Sequence, residues 1–116
     1  MAVIERIRML QGEAVIEERI ALPASRFPGL GDLRPREVPN TLYEMFERRY
    51  GITISRASER IKAGEADPRT AERLQLQPGN PVLVIERLAY DLDGKAVEYR
   101  CSRIDCGRHH YANELS

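Results

Sequence analysis

The sequence predicts an α+β domain, a mostly antiparallel sheet with helices packed against it. Three observations carry that reading. The tetrapeptide VIER occurs at residues 3–6 and again at residues 84–87, each time ahead of a glycine turn and a second run of mixed polar and apolar residues. Two helix-start signals lie between the copies, each followed by apolar residues at helical spacing. A length of 116 residues suits one domain. A domain of this size buries a little over ~60% of its unfolded surface, enough for a real core.

The elements follow in order. "VIERIRML" reads as a strand, "LQGE" at residues 10–13 as a tight turn, and "EAVIEERI" as the returning strand. The second copy aligns with the first. Val3, Ile4, Glu5 and Arg6 match Val84, Ile85, Glu86 and Arg87, and Gly12 matches Gly94 when one residue is inserted in the second turn. Ala14 and Val15 then match Ala96 and Val97. "LDGK" at residues 92–95 is the stronger hairpin signal, because Asp-Gly accepts the positive φ angles of a type I′ turn. Two hairpins of one antiparallel architecture result.

Between the hairpins, residues 22–40 hold four prolines and read as an irregular loop. "TLYEMFERRYG" follows as a helix. Thr41 and Glu44 predict a capping box, Leu42, Met45 and Phe46 form an apolar stripe, and Gly51 is a natural stop. Residues 52–64 alternate partly and read as a further strand. Asp67 then predicts a cap, Pro68 suits the first position of a second helix, and Ala71 and Leu74 face inward. "QPGN" turns the chain into the strand "PVLVIERLAY". In the tail, Tyr111 and Leu115 are candidates for a last short strand.

Charge and composition exclude several function classes. Eighteen basic side chains balance eighteen acidic ones, so no net basic charge points to nucleic acid. No apolar run approaches the ~18 residues that span a bilayer, and the first residues lack the pattern of a signal peptide. A soluble, cytoplasmic protein without a membrane segment is the expectation. Two cysteines are too few for a disulfide framework, so Cys101 and Cys106 are expected to be reduced. With His109 and His110 they do not match the spacing of a structural zinc site, so no metal is expected. Gly-rich phosphate loops, G-x-S-x-G and an acid–base carboxylate pair are absent, and no cofactor or catalytic residue is predicted.

Three places remain that can bind a ligand. Alternation puts Ile4, Arg6 and Arg8 on one face of the first strand. Two guanidiniums so placed make a fork for an oxyanion; the alternative is a solvated face with cross-strand Arg–Glu pairs. The start of the helix at residues 41–50 offers backbone N–H groups, the Thr41 hydroxyl and the Tyr43 phenol; the alternative is ordinary capping by Thr41. Glu98 shares a strand face with Arg100, Ser102 and Ile104. It suits ligand hydroxyl or amine groups, or else a pairing with Arg100 or Arg103.

The run from Thr41 to Ile104 resembles the UTRA domain, the effector-binding domain of HutC-type transcriptional regulators in the GntR superfamily. The carriers of the resemblance are the T-L-Y helix start, the Y-G stop, "PGNPVLVIER", the D-G turn and the V-E-Y strand. "ERIRMLQGEAVIEERIALPASRFPGL" is similar to the preceding part of that domain. The resemblance covers almost the whole chain and implies a chorismate lyase-like fold built from two related halves. It implies one domain over residues 1–116, lacking an earlier strand and helix and an upstream winged helix-turn-helix domain.

The resemblance also implies a function. In sugar-phosphate-sensing relatives, arginines of an R-x-R strand and the Ser/Thr and Tyr at the helix start hold the phosphate. Those positions fall on Arg6, Arg8, Thr41 and Tyr43. A glutamate on the V-E-Y strand holds the body of the ligand and falls on Glu98. A tyrosine that touches the ligand in many relatives is replaced here by Ile104. The expected partners are a small anionic effector (a sugar phosphate or carboxylate), a second copy in a homodimer, and DNA only through the missing N-terminal domain. Two rivals share the fold-level expectation: a chorismate-lyase-like enzyme, and a headless dimerisation partner of full-length regulators.

Overall fold

The computed structural model describes residues 1–34, 37–39 and 41–107. Five strands form one antiparallel sheet in the order β1-β2-β5-β4-β3. In chain order they are β1 (Ala2–Leu10), β2 (Glu13–Leu22), β3 (Ile54–Glu65), β4 (Pro81–Asp91) and β5 (Ala96–Asp105), with helix α1 (Leu42–Tyr50) before β3 and helix α2 (Pro68–Leu74) after it. The order of elements is the one read from the sequence, and both VIER copies lie in the first strand of a hairpin.

The repeat is carried into the register. Arg6 pairs with Glu18 in the first hairpin, and Arg87 pairs with Arg100 at the matching place in the second. β1 shifts register between Arg8 and Met9, and β4 shifts between Ala89 and Tyr90, the corresponding point of the repeat. β2 and β5 pair Glu18 with Ser102 and Ile20 with Arg100. An approximate two-fold normal to the sheet, passing through the Arg19–Cys101 pair, therefore exchanges the hairpins. The first strand of each hairpin thus carries its register shift at the same point of the repeat.

The two faces are covered differently. On one face α1 and the loop after β2 enclose the main core, where Ile20, Leu22, Phe27, Leu30 and Phe46 are fully buried. Phe27 and Phe46 pack with ring centroids 4.7 Å apart. The proline-rich loop is thus irregular, as read, but contributes Phe27, Leu30 and Val38 to the core. It contains two short 3₁₀ turns, Ala24–Arg26 and Leu30–Asp32. On the other face Ala71 of α2 packs over Val82 and Val84.

The helix ends show where local signals hold and where they do not. Asp67 accepts a hydrogen bond from the Thr70 backbone N–H at 2.8 Å, a working N-cap. Thr41 occupies the N-cap position of α1 but makes no side-chain cap bond, so the predicted capping box does not form. Its ψ of 69° lies short of the extended conformation that aims a hydroxyl at the first turn, and Glu44 faces Arg48 at 3.4 Å instead. Gly51 ends α1 at φ 64°, where a side chain would be strained, and the Ile52 N–H returns to the Phe46 carbonyl at 3.1 Å. That exit draws Ile52 into the core, so β3 starts two residues later than the alternation suggested. The expected terminal strand at Tyr111 and Leu115 lies outside the described residues.

Candidate functional site

On the α1 side of the sheet, β1, β2, β4 and β5 leave a recess of about 150 Å³. Ile16, Ile85 and Ile104 line its apolar part, and Arg8, Arg87 and Arg100 line it with charge. Arg87 and Arg100 also line a second hollow of about 360 Å³ at the start of α1, beside Thr41 and Tyr43. The two spaces share these arginines and sit side by side. Strand alternation explains the arrangement: Arg100, Ser102 and Ile104 project from one face of β5, and the helix start overhangs its end.

A chain of hydrogen bonds runs through the walls. Arg6 Nε donates to Glu18 Oε1 at 2.7 Å, and Arg6 Nη1 donates to the Pro39 carbonyl at 3.1 Å. Ser102 Oγ donates to Glu18 Oε2 at 3.2 Å, and Arg100 Nη1 lies 3.7 Å from the same oxygen. Arg100 Nη2 donates to Glu98 Oε2 at 2.6 Å, while the Tyr43 hydroxyl donates to Glu98 Oε1 at 2.7 Å. Arg87 Nη1 donates to the Tyr43 oxygen at 3.3 Å, and its Nε donates to Glu59 at 2.9 Å. The Arg100 guanidinium also stands 5.6 Å from the Tyr43 ring centroid, within cation–π range.

The electrostatics follow from burial and pairing. Burial pushes the Tyr43 phenol above its usual range, and the neighbouring Glu98 charge pushes it further, so it stays a neutral donor at physiological pH. Burial works against the Arg87 charge, but hydrogen bonds to Tyr43 and Glu59 outweigh it and raise its pKa. Glu98 is only 2% exposed and Glu18 only 4%. Such carboxylates are tolerated because each is matched by a guanidinium. Two buried donors, Arg6 Nη2 and Arg100 Nε, have no hydrogen-bond partner among the described residues. A buried unpaired N–H of this kind costs about 1–3 kcal/mol, so it favours any acceptor that reaches it.

The five residues singled out in the sequence gather on this side of the sheet, with different exposures. Arg8, Thr41 and Tyr43 line the hollows, whereas Arg6 and Glu98 lie behind the walls in ion pairs. The open Arg6–Arg8 fork is not built: the Glu18 carboxylate takes Arg6, while among the described residues no ion pair holds Arg8. Glu98 pairs with Arg100, one of the two partners weighed for it, and its side chain is buried. Sequence reasoning missed Glu18, Glu59, Arg87, Arg100 and Ser102. The signal for Arg87 is its match to Arg6 in the repeat, and for Arg100 and Ser102 their shared face with Glu98. Ile104, where a ligand-touching tyrosine was expected from the resemblance, lines the recess.

Among the described residues no cluster of three or more His, Cys, Asp or Glu is placed to hold a metal ion. His109 and His110 lie outside those residues. Cys101 is partly buried and Cys106 is exposed, both as free thiols. No helix among the described residues is long and apolar enough to cross a membrane.

Comparison with known proteins points one way. The profile of the UTRA domain matches residues 1–110. The chain is similar to the HTH-type transcriptional repressor NagR of Bacillus subtilis (strain 168), with 31% identity over 116 residues, covering 97% of this chain and 46% of that protein. It is similar to the HTH-type transcriptional repressor PhnF of Mycolicibacterium smegmatis, with 33% identity over 99 residues, covering 85% of this chain and 39% of that protein. Among solved structures, the ligand-binding domain of a GntR-family transcriptional regulator from Bordetella bronchiseptica superposes with a TM-score of 0.87 at 29% identity, covering 98% of this chain and 73% of that one. The chain spans less than half the length of these two curated relatives.

Proposed function

The chain belongs to the UTRA domain family, the effector-binding module of GntR-family transcriptional regulators, and from this premise we propose that its recess binds a small anionic effector, a sugar phosphate or a carboxylate. The observation that carries the proposal is the convergence of Arg8, Arg87 and Arg100 on one recess, backed by two buried guanidinium N–H groups that have no partner among the described residues. Guanidiniums present paired donors that match carboxylate and phosphate oxygens.

In the proposed mode Arg8, Thr41 and Tyr43 meet the anionic group, and Arg6 and Glu98 turn their remaining capacity to the ligand. Binding draws the start of α1 toward β4 and β5 through Tyr43, which already bridges Arg87 and Glu98. In a full-length HutC-type regulator, a cytoplasmic homodimer, that movement alters how two upstream helix-turn-helix domains are presented to DNA. The effector shifts the balance between arrangements only by its differential affinity for them.

The same fold serves a chorismate-lyase-like enzyme, and fold alone does not assign function. The test is calorimetric titration of the protein with sugar phosphates, urocanate, chorismate and fatty acids, with product analysis of the chorismate sample. A sensor binds one compound with one-to-one stoichiometry and returns chorismate intact. Release of pyruvate and 4-hydroxybenzoate would establish the lyase instead. Failure of every anion to bind would reject the effector reading.

A further inference from the structure

β3 is an edge strand: it pairs with β4 on one side and with no strand among the described residues on the other. It spans Ile54–Glu65, contains no proline, and runs in unbroken register from Arg56 to Glu65. Its outer row of backbone N–H and C=O groups is a template for a further strand. Alternation gives its two faces different chemistry. Arg56, Ser58, Arg60 and Lys62 share the α2 side of the sheet, whereas Ala57, Glu59, Ile61 and Ala63 share the other side, where Arg87 holds Glu59. On the basic side the carboxylate in register with Arg60 is Glu86, which Lys62 at 3.6 Å and the Tyr99 hydroxyl at 2.9 Å already meet. Among the described residues no ion pair holds Arg56 or Arg60. Arg56 lies instead 4.0 Å from the Tyr90 ring centroid, a stack that fixes its guanidinium in place. Between the two arginines the small Ser58 opens the edge to a hollow of about 320 Å³ beside Leu88, Tyr90 and Tyr99.

We propose that the outer edge of β3 receives an extended acidic segment of a partner protein as an added strand. Its carboxylates alternate along the chain and face Arg56, Arg60 and Lys62. A large apolar side chain opposite Ser58 reaches over that residue into the hollow. Backbone hydrogen bonds supply the affinity, and the alternate side chains supply the selection. A second copy of this chain is the poorer occupant. Antiparallel pairing of β3 with itself sets both groups of cations on one face, where like charges repel. Charged edges ordinarily keep strands apart in this way; a charge of one sign keeps copies apart and attracts an acidic strand. Arg56, Ser58 and Arg60 do not line the effector recess, so this surface works whether or not the recess binds an anion.

The probe is a short peptide with blocked ends in which Glu and Thr alternate and the central Glu is replaced by Phe. Its binding to the protein is followed by fluorescence anisotropy. R56A/R60A is expected to weaken it about fivefold, the scale of two exposed ion pairs, and a peptide with Lys in place of Glu is expected not to bind. Two N-methylated versions test the backbone. Methylation of the residues whose N–H groups face β3 abolishes binding, and methylation of the alternate set leaves it within about twofold. Equal effects of the two methylation patterns overturn strand addition, and equal binding of the Glu and Lys peptides overturns the acidic selection. These arms use the wild type, so they decide the matter even where R56A/R60A folds poorly. Tighter binding of single-stranded oligothymidylate than of the peptide assigns the face to nucleic acid and overturns the proposal. So does a dimer that the peptide dissociates, which places a second copy there, and so does the absence of any peptide binding.

Discussion

Arg6 and Arg8 sit two positions apart on one strand and do different things. Arg6 is locked to Glu18 with both side chains almost fully buried. Arg6→Ala leaves a buried carboxylate short of its partner, and chemical denaturation is expected to show a loss of about 3–5 kcal/mol. Arg8→Ala is expected to leave stability within about 0.5 kcal/mol and to weaken an anionic effector by roughly 1.5–3 kcal/mol, the scale of a hydrogen bond to a charged group. Equal stability losses in the two variants would contradict this division. Tyr43→Phe removes a donor from buried Glu98; a stability loss of about 1–3 kcal/mol is expected, with a weaker effector affinity.

Asp91, at the end of β4 and outside the recess lining, gives a pH-dependent counterpart. A hydrogen bond from Arg26 at 2.6 Å holds its carboxyl below the usual range, helped by the Lys95 and Asp93 backbone N–H groups. The folded carboxyl titrates below the unfolded one, so its stabilising effect is full above the ordinary carboxylate range and fades as pH falls through the lowered pKa. Asp91→Asn is expected to be less stable than the wild type at pH 7. The gap should close as pH drops below about 4, the unperturbed Asp value. A gap that persists at acid pH would show that Asp91 acts through packing alone.

Among the elements, the two helix starts make a controlled pair. Asp67 caps α2 through the Thr70 N–H, whereas Thr41 caps nothing with its side chain. Asp67→Ala is therefore expected to lower the melting temperature measurably and Thr41→Ala hardly at all, although Thr41→Ala should weaken effector binding. The opposite order would mean that the Thr41 hydroxyl is structural. The sequence signals at the two sites look alike, since each has a good N-cap residue ahead of an apolar stripe. What separates them is the backbone of the cap residue, since Asp67 is extended at ψ 172° and Thr41 stands at ψ 69°. Element existence was legible from alternation, turn residues and stops. The start of β3 was not, because the exit of α1 into the core claimed Ile52.

At the scale of the whole molecule, the internal two-fold explains both the fold and the site. Two hairpins meet at β2 and β5, so the central strands have a neighbour on each side, while β3 pairs only with β4 and is exposed along most of its length. Amide hydrogen exchange should be slowest in β2 and β5 and fastest in β3; uniform protection would argue against this hierarchy. The repeat was legible in VIER and the paired glycine turns, and it fixed the architecture. The closing of Tyr43 over Arg87 and Arg100 was not legible, because it depends on how a long irregular loop returns α1 to the sheet.

In the proposed function the recess walled by Arg8, Arg87 and Arg100 receives the effector. The most direct measurement is thermal unfolding of the wild type and Arg8→Ala against the panel of sugar phosphates, urocanate, chorismate and fatty acids. A specific ligand at 100 times its dissociation constant adds about 2.7 kcal/mol, several degrees for a domain of this size. Such a rise is expected with one anion in the wild type, and its loss in Arg8→Ala. A rise of equal size in both proteins, or a flat panel in the wild type, would contradict it.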